Sequence, residues 1–450
     1  MRAAPHALYF DSVSNSLFVG GQYKRVFNGD TIVGIGQYKN GQWFRMGDGV
    51  DWLKSFPWCT NCIPNPVNSI IRYKDTIYIT GMFLTSGNYT VNGIAKWNGT
   101  KWLPLKTGLK DSDVGPGSGI GYKFKIYNND LYLTGAFDSV CGVAAHSLAK
   151  FDGVNWSAVN NLPRIYPTNS NFVYDVEFFN GEIYAGGIMD NGTTLKDIVK
   201  WNGTAWVNPG IGMYGLGYIR GITIYKNNLY VIGSYSYYNH PSNPGNCIVR
   251  YDGFNWQSVG TGMLFAPNGL AWLNAYKIYK NKLYLGGEFD LCNNAKMYSI
   301  VTFDGSNFCS LDTTTYFNKG VDCIEFYHDS LYVGGYLKSG TNGFAISLAR
   351  CINYNYTDKC SASGVGIKEV NNLISNLNVY PNPVSNTLFI SPKQDEFKNS
   401  EIEITNALGQ IVLKLPYSNE IDVSKLAQGF YNLKISEPGE QFYYSKFIKE

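Results

Sequence analysis

Apolar positions along this chain cluster in short runs separated by Gly, Asn and Asp, the pattern of strands joined by tight turns. One run returns seven times. It reads NSLFVGGQ from Asn15, DTIYITGMF from Asp75, NDLYLTGAF from Asn129 and GEIYAGGI from Gly181, then NNLYVIGSY from Asn227, NKLYLGGEF from Asn281 and DSLYVGGYL from Asp329. A second phrase follows it six times, an Asn-Gly or Asp-Gly turn leading to an aromatic residue. It ends at Trp43, Trp102, Trp156, Trp206, Trp256 and Phe308. A period of roughly 50 residues built only from strands and turns means a radial or solenoidal repeat array.

Each repeat holds four strand-like runs; in the third they are GYKFKIY ending at Tyr127, DLYLTGAF from Asp130, HSLAKFD from His146 and NWSAV from Asn155. Asn-Asn, Asn-Gly, Lys-Asn and Asp-Ser pairs between the first two suit tight hairpins. The paired glycines closing the second strand let backbones approach closely. The aromatics of strands three and four pack between repeats as core. A single repeat cannot bury both faces. Residues 1–358 are therefore expected to close as a seven-bladed β-propeller, with blades starting near 6, 67, 119, 171, 218, 271 and 320. The seventh lacks a fourth-strand motif, and the chain opens MRAAPHALYF, directly in a first strand and without a leader. The expectation is a truncated start that has lost a signal peptide and a closing strand.

The repeat resembles kelch and galactose-oxidase-like propellers in its Gly-Gly and downstream Trp, with a shorter aromatic-to-Trp spacing. It is more similar to the "GGxF…IAxWDGxxW" repeats of secreted bacterial proteins. No copper-site residues carry over.

Residues 359–375 are small, polar and Gly-bearing, a linker. Residues 376–450 change grammar, with alternating apolar runs and Pro and Gly punctuation that predict a small immunoglobulin-like β-sandwich. The fold class is thus all-β throughout. Tyr380, Pro381, Asn382 and Pro383, then Gly409, Gly429 and Tyr431, and finally Lys446, Phe447 and Lys449 stand in order at the C-terminus. These motifs closely resemble the type A C-terminal sorting domain of the type IX secretion system of Bacteroidota. The resemblance implies recognition by that machinery, export across the outer membrane, and release or attachment at the cell surface.

Charged residues are only 16% of the chain, with 35 Tyr, 49 Gly and a net charge of +3. No Lys/Arg block offers a footprint for nucleic acid, and no apolar run approaches the ~18 residues of a transmembrane helix. Cys59 with Cys62 and Cys351 with Cys360 are local disulfide candidates among nine cysteines. The four histidines are scattered and supply no zinc pattern. Cofactors are expected to be none; Asp111 and Asp113 form a DxDxG fragment that a solvated turn explains better than calcium, because the later acidic ligand is missing. GxGxxG at Gly210 precedes no helix, so it does not read as a dinucleotide site.

No catalytic residues stand out. The long connections on one face of the propeller are rich in aromatics: Trp52, Trp58, Tyr89, Tyr166, Tyr214, Tyr235, Tyr237, Tyr238, Trp272 and Tyr298. Loops on a rigid scaffold carry binding residues, and Tyr and Trp offer large contact area with a polar handle. The leading expectation is a non-catalytic module binding an extracellular glycan or protein through that face. An extracellular polysaccharide-acting enzyme with carboxylates at the channel mouth is the rival, and a structural adhesin the third.

Overall fold

The computed structural model describes residues 4–27, 29–51, 67–112, 119–163, 172–190, 196–209, 218–235, 245–265, 269–311, 320–339, 344–351, 359–361, 378–391, 400–406, 410–436 and 442–450. It is all β, with no helix among those residues, and divides into two units, Met1–Ser363 and Gly364–Glu450.

Seven principal antiparallel sheets and three smaller ones make up the described part of the first unit. The principal sheets open with strands Ala4–Asp11, Ser69–Tyr73, Ile120–Tyr127, Phe172–Phe179, Tyr218–Tyr225, Trp272–Tyr279 and Val321–Tyr327. In each sheet the strands that follow pair in order, four to a sheet in the first five. The local chemistry explains this regularity. The first hairpin turns place both central residues at positive φ, as at Asn128 and Asn129, Lys226 and Asn227, and His328 and Asp329. That is the tight-turn geometry matching strand twist. In the later turn an Asp or Asn side chain caps the chain: Asp152 Oδ1 accepts from the Val154 and Asn155 amides at 2.6 and 2.7 Å, and Asp252 and Asp304 repeat this. The next glycine sits at φ +105 (Gly153). The aromatic that follows stacks on strand three, Trp156 on Phe151 at 5.0 Å and Trp256 on Tyr251 at 4.7 Å. These are core roles, as expected.

Neighbouring sheets are stitched together by the same positions. The tyrosine ending a first strand donates to the turn of the next sheet: Tyr73 to Asn129 O at 2.8 Å and Tyr225 to Asn281 O at 2.8 Å. Tyr327 donates to Asn15 O at 3.3 Å, which joins the seventh sheet to the first and closes the series. Arg72 grips Asp11 with two bonds of 2.7 and 2.8 Å between the second and first sheets. Towards the middle, Asp175 is 0% exposed and gathers four sheets. Its Oδ2 accepts from Lys123 Nζ at 2.7 Å, the Tyr276 hydroxyl at 2.7 Å and the Ile222 amide at 2.9 Å. Burial pulls the Lys123 amine down from its ordinary value, against the opposing pull of the Asp175 carboxylate.

The seventh sheet has three strands among the described residues, and the sixth has five, Lys359–Ser361 joining the outer edge of Phe308–Ser310. One disulfide position lies on that edge. Cys309 is disulfide-bonded, and the ladder sets the Cys360 backbone directly opposite it. Cys59 and Cys62 lie outside the described residues. Cys141, Cys247, Cys292 and Cys323 are buried free thiols, and burial pushes those of Cys141 and Cys247 up to about 12.

The second unit packs two sheets around Leu388, Ile402, Ile404, Ile421, Leu433 and Phe447. Asn382 ties the start of this unit to its end, donating to Lys446 O at 3.1 Å and accepting from the Ile448 amide at 2.9 Å. Tyr431 stacks on Phe447 at 5.5 Å and donates to Ala427 O. Tyr380, stacked on Phe389, is 53% exposed, whereas Lys449 is 8% exposed. Gly409 lies outside the described residues.

Replacing Asp175 with Ala would strand the Lys123 charge and the Tyr276 hydroxyl, and is expected to cost about 3–5 kcal/mol, read as a large fall in melting temperature. Asp11 gives a pH signature. Burial raises its carboxyl, but bonds from Arg72 and Ser14 bring it below the ordinary value. Its stabilisation is therefore present above the unfolded carboxylate value of about 4 and fades as pH falls below it. Asp11→Asn should melt lower than the parent near neutrality and lose less stability on acidification, measured by thermal unfolding between pH ~3 and ~6.

Candidate functional site

The paired glycines of the repeat build a cavity. In six sheets the pairing of the first two strands slips by one residue, between Pro5 and Ala7, Gly121 and Lys123, Val173 and Asp175, Ile219 and Gly221, Leu273 and Ala275, and Val321 and Cys323. Each slip is a β-bulge, which re-aims the extra side chain. The facing glycine makes it possible. A Cβ on Gly187 would lie 1.7 Å from Phe172 O, on Gly233 1.9 Å from Tyr218 O, and on Gly287 1.9 Å from Trp272 O.

The extra residues are His6, Tyr122, Tyr174, Arg220, Asn274 and Asp322, and Asn68 holds the matching place in the second sheet. All seven line one cavity of about 760 Å³. Every sheet of the closed series thus contributes one side chain from the same phase of its first strand. Lys123, Trp272, Tyr276 and Glu288 complete the wall.

The lining is asymmetric. On one side Asp322 accepts from Asn274 Nδ2 at 3.1 Å and lies 3.3 Å from His6 Nδ1. This orients the imidazole and leaves Nε2 buried without a hydrogen-bond partner. On another, the Tyr122 and Tyr174 rings meet at 4.4 Å, and the Arg220 guanidinium lies 4.4 Å over Tyr174. Burial, then the neighbouring Tyr174, pushes the Tyr122 hydroxyl well above its ordinary value. Tyr218 stacks on Trp272 at 5.9 Å. The cavity therefore offers flat aromatic faces, neutral donors and acceptors, the carboxylates of Asp322 and Glu288, and the cations of Lys123 and Arg220. Its volume falls in the range of small-molecule sites, ~300–1,000 Å³.

The aromatic residues expected on the long-loop face divide differently. Trp272 lines the cavity. Tyr89 is exposed, with Lys101 5.9 Å over its ring. Tyr298 is half-buried. Tyr235 is a correction: it is 1% exposed, and its hydroxyl donates to Val231 O at 2.7 Å, a core wedge closed to any ligand. Trp52, Trp58, Tyr166, Tyr214, Tyr237 and Tyr238 lie outside the described residues. That face is also less open than the loop lengths imply. Leu109–Lys110 pairs with Ser139–Val140, and Met263–Leu264 with Leu291–Cys292, so connections between sheets bond to loops within them. Asp111 is buried and Asp113 undescribed, and no group of three metal-ligating side chains occurs among the described residues.

The bulge residues went unread in the sequence, although a signal exists. In six repeats the residue five places before the aromatic that ends the first strand is the bulge residue or its counterpart: Asn68 before Tyr73, Tyr122 before Tyr127, Arg220 before Tyr225. It is polar or Tyr in every case.

Comparison with known proteins places the C-terminal part. Residues 378–450 match the secretion system C-terminal sorting domain. That match indicates recognition by the type IX machinery and a secreted or cell-surface-attached protein. No helix among the described residues is long and apolar enough to cross a membrane. No curated protein sequence matches the chain.

Among solved structures, the chain is similar to the extracellular domain of a putative hybrid two-component system from B. thetaiotaomicron. The TM-score is 0.46 at 13% identity, over 100% of this chain and 57% of that one. A second such domain from the same organism gives 0.47 at 11% identity, over 100% and 55%. The Bacteroides ovatus xyloglucan PUL GH43B gives 0.27 at 12% identity, over 86% and 91%. The chain spans a little over half the length of the two extracellular domains. At these scores the likenesses carry no argument about ligand or activity.

Deleting residues 378–450 is expected to hold the remaining chain in the periplasm of a type IX-competent host, followed by fractionation and immunoblotting. Unchanged export would refute the sorting role.

Proposed function

We propose that the first unit is a kelch-like, seven-bladed β-propeller that recognises an extracellular glycan in its axial cavity, without turning it over. The second unit, an immunoglobulin-like sorting module, delivers it to the cell exterior. The observation that carries this reading is the convergence of seven side chains, one from each sheet and all from the same strand phase, on one cavity. A glycan suits that lining because sugar rings present apolar faces to aromatic rings and hydroxyls to amides, tyrosines and carboxylates.

One arrangement favours a second reading. Asp322 orients the His6 imidazole at the cavity wall, as a carboxylate does for a general base. An enzyme acting on the bound glycan would use that pair.

Titrating the full chain with oligosaccharide panels separates the two. Tyr174→Ala and Trp272→Ala should each weaken binding by about tenfold or more with the fold retained, while Tyr89→Ala leaves it unchanged. Loss on Tyr89→Ala alone would move recognition to the loop face. Product release that His6→Ala abolishes would make the protein an enzyme.

A further inference from the structure

Arg220 is a cation on the cavity wall that forms no ion pair with another described residue. It extends from the fifth sheet, packs its guanidinium over the Tyr174 ring at 4.4 Å and approaches the Tyr218 ring at 5.8 Å. Its Nε is buried without a hydrogen-bond partner, and none of its ion pairs is to be found among the described residues. The other charges around the cavity are treated differently. Lys123 is matched by Asp175, and Asp322 by His6 and Asn274. A guanidinium packed against aromatic rings gains from the cation–π contact, but its buried Nε–H still requires an acceptor in the plane of the group. Leaving it unmet is costly.

Building on the glycan reading of this cavity, we infer that its ligand is an acidic saccharide whose carboxylate docks on Arg220. A planar carboxylate matches the guanidinium fork in a bidentate pair, a geometry that selects Arg over Lys. The rest of the lining suits the remainder of a uronate ring. Trp272, backed by the stacked Tyr218 ring, presents a flat aromatic surface on the cavity wall. The Glu288 carboxylate, on the wall beside Trp272, accepts from hydroxyls and would repel a second acid group. It therefore sets the orientation of the ring. A neutral sugar would leave Arg220 without an anion, which is the basis of discrimination.

The test is calorimetric titration of the full chain with hexuronate oligosaccharides and with the same oligosaccharides after carboxyl reduction. The expected result is at least about tenfold preference for the acid form, the worth of one charge-assisted pair. Arg220→Gln should abolish that preference while leaving the affinity for the reduced form in place. Glu288→Gln should not weaken the acid form. Equal binding of both forms, or a preference that survives Arg220→Gln, would overturn the carboxylate assignment while leaving the cavity as a glycan site. Binding of neither form would overturn the glycan reading as well. Thermal unfolding of each variant checks that the fold persists.

Discussion

The Asp175 carboxylate is the interaction on which the middle of this molecule depends. Fully buried, it holds Lys123 from the third sheet, Tyr276 from the sixth and the Ile222 amide from the fifth, and it belongs to the fourth itself. A carboxylate taken out of water persists only when its oxygens are satisfied, and here three donors meet one of them. The Lys123 ammonium also donates to the Tyr276 hydroxyl at 2.7 Å, so the node is cross-braced. Four independent sheets are thereby drawn to one point, on which the cavity is built. Apolar packing between sheets is non-directional; this node supplies direction.

The glycine pairs then determine what the cavity contains. A bulge needs two residues to oppose one, and the facing strand must admit a carbonyl where a Cβ would stand. Gly187, Gly233 and Gly287 admit it. The repeat motif therefore has two products: a hairpin that can be copied around the ring, and a slot into which any side chain can be placed without changing the hairpin. Seven copies of the scaffold carry His, Asn, Tyr, Tyr, Arg, Asn and Asp in that slot. Uniform packing and a varied site coexist because they occupy different residues.

The C-terminal unit follows the same economy. Its terminal motifs are far apart in the chain, yet Asn382 bonds to both Lys446 and Ile448. The polar residue of YPNP thus locks the final strand in place, and Tyr431 packs against Phe447 on that strand. Tyr380 is left exposed beside this joint.

Read from sequence alone, the hairpins were legible because their signals are local. Asn128-Asn129 and Asp152-Gly153 specify turns through their own φ preferences and side-chain bonds, and the Trp156 and Trp256 spacing marks core. Even the close approach at Gly-Gly was legible. What that approach creates was not, because a bulge is a relation between two strands: the position five places before the closing aromatic marks Arg220 and Asn274, but only the pairing shows that the ladder slips there. Tyr235 shows the converse. Its neighbours in sequence are loop-like and aromatic, yet its ring folds back to bond Val231 and vanishes into the core. The pairing of Lys359–Ser361 with Phe308–Ser310 is likewise a relation between distant strands, one that returns the chain to the sixth sheet. Local turn chemistry determined the repeat; only the packing of sheet against sheet decided which residues line one cavity together.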